Sequence, residues 1–242
     1  MKSSRPATIF ICAVAASGLS MLGYSVVKFH SLNHYPFLIL LAVSAMASRL
    51  KLKLPGINGS MSVNLPFILI AAAQLSLFEG MLVALISSAI QTLPKRGSQL
   101  SAVKLLFNVN TMALASGTCA LLWHRNSLAG HTWSGSLPLV ASCAAFFLVN
   151  TFPVAAIISL TEGAGLLGTW SGISQLSFPY YLACTGLMSI VSAASRQVSW
   201  TMPIAVLPVM VLMYGSYRLY FNRASNAGVS GGEQGMAAAA GD

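Results

Sequence analysis

Residues 7–27 read ATIFICAVAASGLSMLGYSVV, an unbroken apolar run of 21 residues that follows the basic residues Lys2 and Arg5. A helix of this length covers the hydrocarbon core of a bilayer, which is about 30 Å thick. Residues 13–15 resemble the small-x-small cleavage site of a signal peptide, but the apolar run continues well beyond them. We therefore expect a retained first transmembrane helix.

The composition of the whole chain also indicates a membrane protein. Of the 242 residues, 56% are hydrophobic, and only 13 are basic and four acidic. A soluble domain of this length would carry about 60 charged residues. The acids are Glu79, Glu162, Glu233 and Asp242, so catalysis by paired carboxylates has almost no residues to use. We expect a protein that is not an enzyme.

Further apolar segments follow the first one along the chain, at 36–48, 66–78, 80–93, 105–123, 137–161, 178–194 and 202–221. They predict an all-α fold, a polytopic membrane bundle of seven to eight spanning segments. Residues 1–221 would form the membrane-spanning domain. Residues 222–242 contain too little apolar bulk to pack, and we expect a disordered cytoplasmic tail there.

Residues 50–65 have a pattern of their own. Leu50, Leu52 and Leu54 alternate with basic residues, and the alternation resumes beyond a turn rich in Pro, Gly and Asn. Period two on both sides of a turn predicts a small extended hairpin. Because lipid cannot satisfy open strand edges, the hairpin must lie at the cytoplasmic surface or against protein.

The pair of segments at 66–93 is short. Residues 66–78 and 80–93 are joined at Glu79-Gly80, and each would reach only about 20 Å as a helix. Two interpretations stay open: two tilted spans in a thin region of the bilayer, or a re-entrant hairpin that returns to its starting side.

Basic residues are distributed unevenly between the connecting loops. Ten fall on the side of the N-terminus and three on the other side. Such a bias is typical of cytoplasmic loops, so we expect a multi-pass protein of the bacterial inner (cytoplasmic) membrane with both termini in the cytoplasm. Nucleic acid binding is not expected, because the basic residues do not cluster on a polar face.

No cofactor or metal site is predicted. The four cysteines stand singly in apolar runs, and all four histidines fall in predicted outer loops. Residues 163–168 match the spacing G-x-G-x-x-G, but they follow a membrane segment instead of a strand. We expect residues 162–177 to form a Gly-rich connector.

Polar residues inside apolar segments are the candidate binding residues. Asn108 and Thr111 recur with small residues at steps of three and four, with Asn110 on another face. The candidates for ligand binding are Asn108, Thr111, Asn150, Glu79 and Gln74. These side chains either bond between helices or line a polar pocket for a small ligand.

Glu79 has two possible roles. In a re-entrant turn its carboxylate would lie at membrane depth and bind a proton, a cation or a basic partner. At the outer surface it would be a residue at the start of the next helix, stabilised by the helix dipole.

Five short stretches carry a resemblance to a known group of proteins: residues 54–56, 106–108, 147–151, 178–182 and 216–220. They are similar to the membrane-integral N-terminal regions that precede HD-GYP and GGDEF domains in bacterial signalling proteins, regions grouped with membrane-associated sensor domains. In those proteins the last helix runs into a cytoplasmic catalytic domain, whereas this sequence continues into a Gly/Ala tail. The resemblance therefore implies a stand-alone sensing or anchoring role, without cyclic-dinucleotide chemistry or catalytic residues.

Three functions are compatible with these features. The first is a stand-alone membrane sensory or scaffold module that binds a small ligand or partner and couples to a cytoplasmic protein. The second is the solute-binding membrane component of a small-molecule transporter, because interrupted short helices are found at solute sites. The third is a structural subunit of a membrane complex. The expected partners are the lipid bilayer and another protein in the membrane or cytoplasm, and a homo-oligomer is left open.

Overall fold

The computed structural model describes residues 5–28, 34–53, 60–94, 101–128 and 136–194, and parts of a last helix within 206–219. The described chain is helical apart from two short strands. Its elements are α1 Arg5–Lys28, α2 His34–Ala47, β1 Lys51–Lys53, β2 Ser60–Ser62, α3 Leu65–Gln74, α4 Leu77–Thr92, α5 Ala102–Leu128, α6 Ser136–Glu162, α7 Leu166–Ala194 and α8 Val206–Ser216. The helical prediction is confirmed.

Among the described residues, three helices are long and apolar enough to cross a membrane. They are Arg5–Lys28, Ala102–His124 and Leu137–Glu162. The seven to eight spans expected from the sequence stay a prediction beyond these three. α7 is longer than any of them, at 29 residues, and falls short in apolar content instead of length.

α3 lies at the centre of the bundle. Every residue from Leu65 to Ala73 is buried, and the helix packs against α2, α4, α5 and α7. A helix that is apolar on all sides is stable where protein or lipid surrounds it, and here the neighbouring helices do so. With 10 residues it reaches about 15 Å, half of a hydrocarbon core.

The break between α3 and α4 lies earlier than the sequence pattern predicted. α3 ends at Gln74, and α4 begins at Leu77, so Glu79 and Gly80 belong to the first turn of α4 and not to a turn at 79–80. Ser76 adopts an extended conformation and caps α4 with its side chain. The extended Ser76 interrupts the helical conformation between α3 and α4. Its side chain also satisfies an amide at the start of α4 that would otherwise need a partner.

The predicted connector at 162–177 was wrong over most of its length. α6 continues to Glu162, and α7 already begins at Leu166. Gly163 has a φ of +72°, the left-handed conformation with which many helices end. Its N–H donates to the Ser159 carbonyl. The glycines that follow lie inside a helix, where packing outweighs their low helix propensity.

α5 packs against four other helices, α1, α3, α4 and α6. On its α1 side the Phe10 and Phe107 rings lie 6.3 Å apart. Gly18 faces Asn110, and Gly117 faces Met21. Sequence numbers rise together on the two helices, so α1 and α5 run in the same direction.

The two strands lie within the region of alternating residues. β1 and β2 pair antiparallel, with Lys51 opposite Ser62 and Lys53 opposite Ser60. The Val63 N–H donates to the Leu50 carbonyl at 3.2 Å and extends this pairing toward α3. The tail predicted at 222–242 lies outside the described residues, as do His30 and His131.

Candidate functional site

The turn between α3 and α4 is fixed by a reciprocal cap. The Glu79 N–H donates to Ser76 Oγ at 3.3 Å, while Glu79 Oε2 accepts from the Ser76 N–H at 3.1 Å and from its hydroxyl at 2.8 Å. Glu79 is buried, with 1% of its surface exposed. Since a buried carboxyl group requires hydrogen-bond partners, Ser76 both ends α3 and satisfies the Glu79 side chain.

His124 holds the same turn from the other side. Its Nε2 lies 3.2 Å from the Leu75 carbonyl oxygen. A carbonyl only accepts, so Nε2 is the protonated nitrogen in this contact. The Leu75 residue is the C-cap of α3, where carbonyls lack partners inside the helix. The His124 side chain of α5 thus satisfies a carbonyl group at the C-terminal end of α3.

Close packing joins α4 to its neighbours in the middle of this region. A Cβ added to Gly80 would lie 3.2 Å from both the Ala71 carbonyl oxygen and the Ala72 Cα, so α3 and α4 meet backbone to backbone. The Ser116 hydroxyl of α5 donates to the Gly80 carbonyl at 3.3 Å. Small residues at such positions allow helix backbones to approach closely.

At the other end of α4, the Asn108 Nδ2 donates to Thr92 Oγ1 at 3.2 Å. The three contacts Leu75–His124, Gly80–Ser116 and Thr92–Asn108 are called here the α4–α5 seam. Sequence numbers fall on α4 as they rise on α5, so the helices are antiparallel. The seam therefore fixes the register of the α3–α4 hairpin against α5 over the whole length of α4.

α2 contributes one polar contact to α4. The Ser44 and Ser87 hydroxyl oxygens lie 2.7 Å apart in a buried position. Ser87 also donates to the Val83 carbonyl at 2.5 Å, so Ser44 is the donor between the two hydroxyls. Since α2 and α5 both bind α4 through polar groups, α4 is restrained from two directions.

A separate polar pair joins α6 and α7. The Asn150 Nδ2 donates to the Tyr181 hydroxyl at 2.5 Å. The Tyr181 ring packs edge-on against Phe147, with centroids 4.9 Å apart. At the next residue of α6, the Trp170 indole N–H donates to Thr151 Oγ1 at 3.2 Å. Asn150 thus joins α6 to α7 and lies among aromatic side chains.

The structure places the five predicted ligand-binding residues in different settings. Glu79 is part of the cap of α4, Asn108 binds α4, and Asn150 binds α7. Gln74 is exposed at the end of α3. Thr111 is buried, and its hydroxyl has no hydrogen-bond partner among the residues that the structure describes. Of the five, Thr111 offers an unsatisfied buried group that a ligand or a partner group could bind.

Asn108 and Asn110 lie on different faces of α5, as the sequence predicts. Asn108 is exposed, whereas Asn110 is buried beside Gly18. The Asn110 Nδ2 donates to the Leu106 carbonyl at 2.8 Å. The buried amide is therefore the one that packs against α1, and Asn108 serves the edge next to α4.

Several partners of these residues were not among the candidates. Thr92, His124, Ser116 and Tyr181 each bond a residue at least 16 positions away, and local periodicity does not contain such pairs. Ser76 is different, because Ser76-Leu77-Phe78-Glu79 has the spacing of a capping box and could have been found in the sequence.

Among the described residues, no group of three or more His, Cys, Asp or Glu side chains could hold a metal ion. Cys119, Cys143 and Cys184 are buried free thiols, and Cys12 is exposed. A surface groove of about 510 Å³ lies along α1, lined by Ala16, Ser17, Ser20, Met21, Tyr24 and Leu114. None of the five predicted residues lines it.

Comparison with known proteins places this bundle in a family. The MASE9 family model matches residues 11–221, which comprise α2 to α8 and most of α1. No curated protein and no solved structure matches the chain. The match covers most of the sequence and the whole of the α4–α5 seam. The chain therefore belongs to MASE9, a membrane-associated sensor family.

Proposed function

We propose that the chain is a sensory module of the bacterial inner membrane in which the α3–α4 hairpin responds to a signal and couples to a cytoplasmic protein. Family membership supports a membrane-associated sensory role. The observation that carries the rest is the α4–α5 seam. It links the α3–α4 hairpin, in which residues 65–73 are buried, to one of the long apolar helices through a few polar contacts.

The energies of these contacts suit a switch. Hydrogen bonds between helices in a membrane contribute about 0.6 kcal/mol each, so the three contacts of the seam together contribute about 2 kcal/mol. Coupling free energies between sites are typically about 1–3 kcal/mol. A small ligand or a partner's helix that binds one register of α4 more tightly can therefore shift the hairpin without unfolding the bundle.

Thr111 is the residue at which we propose that such a ligand binds. Its hydroxyl is buried and unsatisfied within the described structure, and it lies one turn from Asn108 on α5. A group that bonds Thr111 would remove the cost of an unpaired polar atom, which is about 1–3 kcal/mol. This gain is large enough to favour one arrangement of the seam over another.

The orientation completes the proposal. Ten basic residues on one side and three on the other favour both termini in the cytoplasm. The connection between α4 and α5 would then face the cytoplasm, where the Thr92–Asn108 end of the seam could contact a signalling protein. Reporter fusions at Gln99 and at Asn126 should give cytoplasmic and periplasmic signals, and the reverse result would contradict this orientation.

A crosslink between α4 and α5 at the seam tests the proposal. Thr92→Cys and Asn108→Cys, in a Cys12→Ser background, are joined by a short, reducible bis-thiol crosslinker in native membranes. The chain is then purified in mild detergent with its bound proteins. A co-purified signalling protein should change its activity by about 5-fold or more between the locked and the reduced state.

The matched control joins Asn150→Cys to Tyr181→Cys between α6 and α7, where the lock should have little effect on that activity. Absence of a bound signalling protein, or an activity that is indifferent to the Thr92–Asn108 lock, would contradict the proposed role of the seam.

One observation favours a second function, the solute-binding component of a transporter. α3 ends inside the bundle at a break next to the buried Glu79, and interrupted helices of this kind coordinate substrates in transporters. Cells that express the chain would then accumulate a solute, and Glu79→Gln would abolish this uptake. Uptake that is the same with and without the chain would exclude this function.

A further inference from the structure

Sulfur-containing side chains of α6 and α7 meet in the buried core of the bundle. The Cys143 thiol of α6 donates to Met188 Sδ of α7, with 3.5 Å between the two sulfur atoms. Cys184 precedes Met188 by four residues, so both side chains lie on the same face of α7, one turn apart. Cys143 is 5% exposed, and Cys184 and Met188 are fully buried. These three residues are called here the sulfur site.

The two thiols of the sulfur site are also near each other. Cys184 interacts electrostatically with Cys143 across the interface between α6 and α7. A single buried cysteine is usually a small apolar residue and nothing more. Two thiols beside a thioether, contributed by two helices, form a set of soft donor atoms instead.

The types of these donors select the kind of ion that they can bind. Thiolate and thioether ligands favour soft ions such as Cu(I), whereas carboxylates and carbonyls favour Mg²⁺, Ca²⁺ and Mn²⁺. Structural zinc sites have four ligands, which come from Cys, His, Asp or Glu side chains. Because one of the three donors is the thioether of Met188, the sulfur site favours Cu(I) over Zn²⁺.

The distance between Cys143 and Met188 fits a shared ion. Bonds from a metal to a thiolate are about 2.3 Å long, so two sulfur ligands of one ion lie about 3.8–4.0 Å apart in tetrahedral or trigonal geometry. The observed 3.5 Å is shorter by a few tenths of an ångström, and the flexible Met188 side chain can supply this adjustment. The thiol proton lies between the two sulfur atoms, at the place where the ion would bind.

The charge of Cu(I) suits a buried site. An ionised group in an apolar interior is costly unless it is paired. A monovalent ion bound to one thiolate has no net charge, and thioethers and thiols are neutral. Binding would therefore replace the proton of the Cys143 thiol by the ion, and this proton would leave to the solvent.

We propose that Cys143, Cys184 and Met188 form a binding site for Cu(I) between α6 and α7. The site needs only two thiols, so it is compatible with the absence of a cluster of three His, Cys, Asp or Glu side chains among the described residues. Cys143 lies seven positions after the first residue of α6, about 10 Å along the helix axis. A bound ion would tie α6 to α7, in addition to the contact between Asn150 and Tyr181. None of the three residues belongs to the α4–α5 seam.

Transfer of Cu(I) from a coloured chelator tests the site. The full chain with Cys12→Ser is purified in mild detergent and mixed with the Cu(I)–bicinchoninate complex and ascorbate, without oxygen. The chain should take up about one ion, seen as loss of the colour of the complex. Met188→Leu and Cys143→Ala should each lower the affinity at least about 10-fold, since even residues behind the ligands of a metal contribute that much.

Met81→Leu is the matched control, because Met81 is also fully buried in the core and the same replacement conserves volume at both positions. The control should bind Cu(I) as tightly as the parent chain. Thiols that bind the ion nonspecifically do not require a thioether. Equal affinities of Met188→Leu and Met81→Leu, or no transfer of Cu(I) to the parent chain, would overturn the site.

X-ray absorption on the loaded parent chain tests the ligands without any substitution. The spectrum should show sulfur neighbours at about 2.3 Å from the ion. Nitrogen or oxygen neighbours in their place would overturn the assignment. Addition of one equivalent of Zn²⁺ should leave the bound Cu(I) in the chain, and displacement of Cu(I) by Zn²⁺ would contradict the selectivity expected from the Met188 thioether.

Discussion

Gly18→Ala is the substitution for which the structure predicts the clearest effect. Gly18 lies in α1 against α5, and an added Cβ would lie 2.5 Å from Asn110 Oδ1 and 2.8 Å from Asn110 Cβ. Rotation of the amide can relieve the first contact. The second involves an atom attached directly to the α5 backbone, so the two helices would have to separate.

The expected change in the free energy of unfolding follows from two opposing effects. Replacement of Gly by Ala in a helix stabilises it by about 0.8–1.0 kcal/mol. Overpacking at a tight contact costs about 1–3 kcal/mol. Gly23→Ala is the matched control, because it lies in the same helix and has nothing within 4 Å of the added Cβ. The control should stabilise the chain, and Gly18→Ala should be less stable than the control by about 1–3 kcal/mol.

Buried thiols provide the assay. Cys119, Cys143 and Cys184 are buried, so a fluorogenic maleimide reports their exposure as the chain unfolds on heating. The exposed Cys12 is replaced by Ser in all variants. For a chain of this size each kcal/mol shifts Tm by about 2–4 °C, which places Gly18→Ala about 2–12 °C below Gly23→Ala. Equal melting temperatures would refute the close contact between α1 and α5.

Other contacts of the site can be tested with the same assay. Ser76→Ala should lower the free energy of unfolding by about 1 kcal/mol, because α4 loses its cap, and Ser76→Thr should restore most of it. His124→Leu should cost about 1–3 kcal/mol, because the Leu75 carbonyl loses its donor, whereas a cost near zero would contradict that contact. A double-mutant cycle of Asn150→Leu and Tyr181→Phe should give a coupling energy of about 0.6 kcal/mol, and strict additivity would show that the pair does not interact.

The sequence predicts the class of the protein and the approximate position of its helices. Apolar runs such as 7–27 and 137–161 become α1 and α6 with ends that differ by only a few residues. Hydrophobic length is a local property, so it can be read from one stretch of chain. The start of α7 was missed, because glycines that mark a connector in many soluble proteins lie inside a helix here.

The break between α3 and α4 was placed at Glu79-Gly80 because that pair interrupts the apolar pattern. The capping box of Ser76 and Glu79 outweighs this interruption and sets the break at Leu75–Ser76. The information was present in the sequence, since Ser-x-x-Glu is a known signature of a helix start.

The contacts of the candidate site, unlike the helix boundaries, could not be predicted from the sequence. Asn108, Asn150 and Thr111 were selected as polar residues in apolar segments, and each is involved in, or available for, a polar contact. The partners of Asn108 and Asn150 could not be predicted, because Thr92 and Tyr181 lie 16 and 31 positions away from them and helix packing alone brings them together. Polar residues in a membrane segment predict that a partner exists without identifying it.

Photolabelling tests whether a buried α3 lies inside a membrane-embedded bundle. A lipid-soluble diazirine is activated in native vesicles, and the labelled peptides are identified by mass spectrometry. We expect label on exposed apolar side chains of α1 and α6, such as Ile9, Val27 and Leu148, and only background label on residues 65–73. Label on residues 65–73 at the level of α1 would show that α3 is exposed to lipid, and no label on α1 and α6 would show that the bundle is not embedded in the membrane.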